Sequence, residues 1–163
     1  MQTEQITTAR LLLLPLRVEH AAEMADVLSD PALHTFIGGT PSTPMALRAR
    51  YERLVAGSPD PAVSWHNWVV RDGAHLAGTV QATVTAGDTH AEIAWVIGTP
   101  WQGRGLASEA ARGLVGWLAG QGVRTVVAHI HPDHHASAAV ATAAGLSPTA
   151  EEQDGETRWR LSL

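Results

Sequence analysis

Trp101-Gln-Gly-Arg-Gly-Leu-Ala107, running straight into Ser108-Glu-Ala-Ala, is the stretch on which the reading of this chain turns. It lies between a strand-like run at 91–98 and a helix-like run over Leu106–Gly120. Glycines at 103 and 105 let the backbone turn tightly and present several N–H groups side by side. They do so where the following helix leaves its first N–H groups unpaired and turns the positive end of its dipole outward. A place of this kind binds phosphate.

Working outward, residues 10–16 form a short apolar run closed by Pro15, and the apolar positions 18, 21, 22, 24, 25 and 28 fit a helical face. Residues 36–44 are a loop in which Ser42 or Thr43 caps a second helix, over Pro44–Ala56. Trp- and Val-rich alternation over 65–71, an Asp72-Gly73 turn, a run at 75–85, a turn at 86–89 and a run from 90 to 98 read as an antiparallel meander. The helix after the glycine loop has a clean apolar face of Leu106, Ala110, Leu114, Trp117 and Leu118. Residues 123–130 are β-branched, 137–145 form an Ala-rich helix ending in glycine, and 157–163 alternate as a last strand. The order β-α-α-β-β-β-α-β-α-β predicts an α+β fold, a mixed sheet with helices packed on it.

At 163 residues, 45% hydrophobic and 17% charged, the chain has the size and composition of one soluble domain, 1–163. A net charge of −5, with Lys+Arg at 11 and no basic block, argues against nucleic acid as a partner. The absence of cysteine excludes disulfides, thiolate nucleophiles and Cys-ligated zinc. No apolar run approaches a membrane span and the N-terminus lacks a leader pattern, so the expected setting is cytoplasmic, with no membrane partner.

A dinucleotide fingerprint needs Gly-x-Gly-x-x-Gly after the first strand, and a mononucleotide loop needs Gly-Lys-Ser/Thr. This loop comes late, after a meander, and the chain contains no lysine. Gln102-x-x-Gly105-x-Ala107 instead resembles the Gln/Arg-x-x-Gly-x-Gly/Ala motif of the GNAT superfamily of N-acetyltransferases, which holds the pyrophosphate of acetyl-CoA. Ala91-Glu-Ile-Ala-Trp-Val-Ile-Gly resembles that family's fourth strand, and His134-x-x-Ser137 with Gly145-Leu146 resembles its Asn-x-x-Ser…Gly-Phe segment. Arg10-Leu-Leu-Leu-Leu-Pro-Leu-Arg17 is similar to the opening of the subgroup containing the ribosomal-protein N-terminal acetyltransferases.

The resemblance implies a single GNAT-like domain: a mostly antiparallel twisted sheet of six to seven strands, about four helices, and a splay between the family's fourth and fifth strands. It implies direct acetyl transfer from acetyl-CoA to an amine of a small molecule or a protein N-terminus, without a metal. Relatives are frequently dimers, which raises a homodimer here too. Backbone groups at Val96 and Ile97 would pair with the pantetheine arm and stabilise the oxyanion. N–H groups from Gln102 through Gly103, Arg104, Gly105, Leu106 and Ala107, with Ser108, would cradle the pyrophosphate, the Arg104 side chain adding a charged contact or facing solvent. His134, in place of the family's asparagine, would donate to the pantetheine.

Glu92 is the candidate general base, sharing a strand face with Ala94 and Val96, or else a structural ion-pair partner. Many relatives use a tyrosine in the last helix as leaving-group acid, but the one tyrosine here is Tyr51, and Ser137 is the candidate in its place. His129, His131, His134 and His135 cluster with Asp133 without ligand spacing for a metal; His131 is an alternative base. The tryptophans are expected mostly as core or wall, Trp101 at the loop mouth and Trp65 or Trp68 on an acceptor pocket, which is expected from the 36–39 loop, the second helix and the C-terminal segment. A protein of this fold that binds CoA without turnover is the competing reading.

Overall fold

A computed structural model describes residues 1–163 apart from Ile37 and Ala86. The described residues form one sheet in the order β1-β2-β3-β4-β5-β6-β8-β7. Its strands are β1 (Ile6–Thr7), β2 (Leu11–Pro15), β3 (Ser64–Asp72), β4 (His75–Thr85), β5 (His90–Ile97), β6 (Thr125–Ile130), β7 (Ser147–Gln153) and β8 (Glu156–Ser162). The helices are α1 (Ala21–Val27), α2 (Pro44–Ala56), α3 (Leu106–Gly120) and α4 (His135–Ala143), with short 3₁₀ turns before α1, between α1 and α2, and before the glycine loop.

The expected strand count of six to seven is thus corrected to eight. The two additions carry no periodic signal: β1 has only two residues, and β7 is an edge strand exposed along almost its whole length and begins Ser147-Pro148. An edge strand with solvent on both faces has no buried side to impose alternation. The meander and both long helices stand where the apolar periods put them. Thr43 caps α2 by accepting from the Ala46 N–H at 3.1 Å. Ile37 of the 36–39 loop and Ala86 of the 86–89 turn lie outside the described residues.

Two cores sandwich the sheet. On one face α3 packs Leu106, Ala110, Leu114 and Leu118 against Leu13, Trp68, Val80, Ile93 and Ile97. On the other, α1 and α2 pack Met24, Val27, Leu47 and Tyr51 against Val69 and Leu76. Burying each large aliphatic side chain contributes about 1.5–3 kcal/mol, so α3 is bound to the sheet largely by this stripe. None of the helices is long and apolar enough to cross a membrane, among the described residues.

Every neighbouring pair is antiparallel except β5 with β6, which is parallel and lasts only from His90↔Thr125 to Glu92↔Val127. Beyond Glu92 the two strands diverge, which is the expected splay. On its other side β5 stays paired with β4 to Gly78↔Ile97. There Gly78 is required: a Cβ on it would stand 2.1 Å from the Val96 carbonyl oxygen. Gly78→Ala should therefore lower stability by about 2 kcal/mol or more, read by denaturant unfolding; a loss under half of that would show that the β4–β5 backbones relax apart freely.

Candidate functional site

The divergence of β5 and β6 opens a cavity of about 720 Å³ that passes between the strands. Its walls include Ile93–Ile97 of β5, Ala128–Ile130 of β6 and His131 just after it, the loop residues Gln102, Gly103 and Gly105, the first residues of α3, and Ser137 and Val140 of α4. Gly103 and Gly105 have φ of +78° and +75°, so the turn that sharply redirects the chain into α3 depends on both glycines. The first backbone bond of α3 runs from Glu109 N–H to the Gly105 carbonyl at 3.1 Å. Leu106, Ala107 and Ser108 come before it, and their N–H groups lie at the positive end of the helix dipole on the cavity wall.

Strand alternation decides which β5 backbone groups face the gap. Gly98 N–H donates to the Ala77 carbonyl of β4, so Val96, two residues back, also turns toward β4, where it pairs with Thr79. Trp95 and Ile97 face the open side. Sequence reading named Val96 and missed Trp95, because hydrogen-bonding parity is invisible until the strand is paired. The Ile97 carbonyl already accepts from Gln102 Nε2 at 2.9 Å. The motif glutamine thus ties the loop to the strand.

The Arg104 side chain, expected either to contact the phosphates or to face solvent, is half exposed and ion-paired. Its guanidinium donates to Asp72 Oδ2 at 2.8 Å, and the residue is not among the cavity walls. Its carbonyl accepts from Arg10 Nη1 at 2.8 Å. Arg10 in turn donates through Nε and its own N–H to Glu109, at 2.6 and 2.8 Å, and Thr8 Oγ1 donates to the same carboxylate. One carboxylate in the first turn of α3 therefore locks helix, glycine loop and the start of β2 together.

Where the two strands begin to part, Glu92 and His129 meet, with Nδ1 to Oε1 at 2.7 Å; His129 is a cavity wall and Glu92 lies just outside the walls. Sequence reading placed Glu92 but gave His129 no part beyond the histidine cluster. The two are 37 residues apart, and only the parallel register joins them. His131 has Nδ1 accepting the Asp133 N–H at 3.0 Å, which occupies the lone pair a neutral imidazole would need as a base. His134 caps α4: Nδ1 accepts the Ser137 N–H at 3.3 Å, and Nε2 lies 3.1 Å from Ser137 Oγ. With Nδ1 accepting, the proton is on Nε2 and is donated to Ser137 Oγ, so the expected donation to pantetheine is already spent. Burial, followed by the nearby charge of His131, holds the His134 imidazole below its usual pKa, which keeps this neutral form.

Phe36 stacks on His134 with ring centroids 4.4 Å apart and tilts against His131 at 5.0 Å, closing one side of the cavity. Trp101 lines the cavity as expected. Trp68 does not: it is fully buried under α3, its Nε1 donating to the Glu4 carbonyl at 2.7 Å, and Trp65 is not a cavity wall either. Tyr51 sits in the α1–α2 core, where burial pushes its hydroxyl up to about 12. Among the described residues no three His, Asp or Glu side chains gather closely enough to hold a metal ion.

Burial works against ionisation of Glu109, but the hydrogen bonds from Thr8 and Arg10 and the Arg10 charge outweigh it, so its pKa is lowered. The corresponding stability is present above the unfolded carboxyl pKa of about 4.3 and is lost as pH falls through the lower folded value. Glu109→Gln should cost about 1–3 kcal/mol at neutral pH by leaving buried donors underserved. The gap to wild type should close as melts are taken to acid pH; a gap that stays constant would refute an ionic role.

The model of the family described as the acetyltransferase (GNAT) domain matches residues 10–147. No sequence among curated proteins matches the chain. Among solved structures, a GNAT-family acetyltransferase from Bacillus anthracis superimposes with a TM-score of 0.81 at 18% identity, covering 98% of each chain. The Salmonella typhimurium acetyltransferase that modifies the N-terminal serine of ribosomal protein L7/L12 also gives 0.81 at 18%, covering 98% of this chain and 99% of its own. The microcin C7 self-immunity acetyltransferase MccE, solved with acetyl-CoA and AMP, gives 0.79 at 15%, covering 95% and 93%.

Proposed function

This chain belongs to the GNAT acetyltransferase family, and from that premise we propose that it transfers the acetyl group of acetyl-CoA directly to a primary amine of a small molecule or a protein N-terminus. The observation that carries the reading is the cavity itself: a passage between two parted strands, with strand backbone on one wall and the glycine loop and α3 N-terminus at its end. An extended amide-bearing arm suits the strand edge, and a pyrophosphate suits the N–H groups of Leu106 to Ser108. In this reading the cradle is backbone from Gln102 to Ser108, with Gln102 tying loop to strand.

The reaction needs a free amine, a stabilised oxyanion and a protonated leaving thiolate. Glu92 takes a proton from the acceptor ammonium, and the amine nitrogen attacks the thioester carbonyl carbon. The N–H of Ile97 or Trp95 donates to the oxyanion that forms. As the tetrahedral adduct collapses, the C–S bond breaks and the sulfur takes a proton from Ser137 Oγ–H, which is free to donate because Oγ accepts from His134. The second nitrogen proton returns to Ser137 through solvent, and the proton on Glu92 is released, leaving amide, CoA thiol and one net proton. With no cysteine in the chain, a thiol-bound acetyl intermediate has no site. That the Salmonella relative modifies a protein N-terminal serine supports a peptide amine among the acceptors to be tried.

The experiment is acetyl-CoA titration by calorimetry with a thiol-release assay over amines and N-terminal peptides. Binding and thiol release are expected together; binding with no release across the panel would identify a CoA-binding module instead. Gly105→Val puts a β-branched residue at φ +75° in the loop and should abolish acetyl-CoA binding, with near-normal affinity overturning the assignment of the loop. Glu92→Gln should lower kcat by about 10²–10⁴-fold with acetyl-CoA affinity kept, as removal of a general base does; an unchanged rate would remove Glu92 from the chemistry.

A further inference from the structure

His129 lies on β6, on the sheet face it shares with Glu92, two residues beyond the last parallel pair Glu92↔Val127. Its side chain is 11% exposed, whereas that of Glu92 is 50% exposed. The ring is thus fixed and the carboxylate reachable. An ionised carboxylate only accepts, so the proton of this 2.7 Å contact belongs to Nδ1. A neutral His129 is then the Nδ1–H tautomer, with its lone pair on Nε2. Nε2 is buried and has no hydrogen-bond partner among the described residues. An N–H at that position would be buried without an acceptor.

From this geometry we infer that His129 is a positioning residue for acetyl transfer: its Nδ1–H holds Glu92 Oε1 and so fixes Oε2, which has no partner among the described residues, as the oxygen that takes the acceptor's proton. The inference rests on the transferase reading above. An exposed glutamate on a strand otherwise samples several rotamers, and pinning one oxygen selects one of them. The ring does not receive the proton. It passes from the ammonium nitrogen to Oε2 and then to solvent, while the Nδ1–H···Oε1 bond persists throughout.

Three variants and one spectrum test this. His129→Leu should lower kcat about 10- to 100-fold, the scale of a misplaced catalytic group, with KM for acetyl-CoA within about twofold. His129→Asn keeps an N–H close to the place of Nδ1 and should recover most of the rate, whereas a merely structural role would be served better by leucine. In a Glu92→Gln background His129→Leu should add no further loss, because it acts through the carboxylate. ¹⁵N spectra of the histidine-labelled free protein should show His129 as the Nδ1–H tautomer, with no acceptor needed. An Nε2–H tautomer, additive losses in the double variant, or turnover unchanged by His129→Leu would each overturn the role of His129 alone. A wild type that binds acetyl-CoA and acetylates no amine would overturn the transferase reading itself.

Discussion

The early end of the parallel β5–β6 pairing is the constraint on which the rest of this structure depends. A sheet gains from pairing every backbone group, and here a central strand gives up its partner after Glu92↔Val127. The groups of Trp95 and Ile97 on that side must be met by something other than a strand. The chain meets one of them itself, by folding Gln102 back onto the Ile97 carbonyl. The others line a passage open to an extended ligand, so the defect in the sheet and the site are the same feature.

A sheet split at its centre has to be held on both sides of the gap. On the β5 side, the long meander with β3 and β4 does this, with Gly78 letting the β4 and β5 backbones close up. The glycine loop is held from outside by the Glu109–Arg10–Thr8 cluster and the Arg104–Asp72 pair, which tie α3 to the far edge of the sheet. On the β6 side, the β8 strand pairs along all of β6 and the His134 cap fixes α4. The polar residues around the site therefore divide into those that keep the two halves rigid and the few that face the cavity. Arg104 and Gln102 spend their side chains on the first task, which leaves only their backbone toward the loop.

Much of this was legible in the sequence where a local physical rule applied. The α2 boundaries followed from Thr43 and Pro44, the α3 boundaries from the glycines before it and its apolar stripe, and the meander from alternation broken at Asp72-Gly73. What was not legible has a common cause. The β7 strand has two solvent faces and so no pattern, and Trp68 reads equally as core or pocket wall until α3 covers it. The direction of a backbone N–H depends on pairing parity, which moved the free groups from Val96 to Trp95. Histidine lone pairs are allotted by neighbours: the Asp133 N–H takes that of His131, and the Ser137 N–H that of His134.

By itself the sequence determined the element order, the glycine loop at the head of α3, the absence of a thiol and the presence of Glu92 on an open strand face. These depend on periodicity, capping and residue type, all properties of neighbours along the chain. Only the tertiary structure decided that the parting of β5 and β6 begins after Glu92↔Val127, that the Arg104 side chain pairs with Asp72, and that Glu92 is gripped by a histidine 37 residues distant. Those outcomes depend on register and on competition for each hydrogen bond, and neither exists until distant segments are packed against one another.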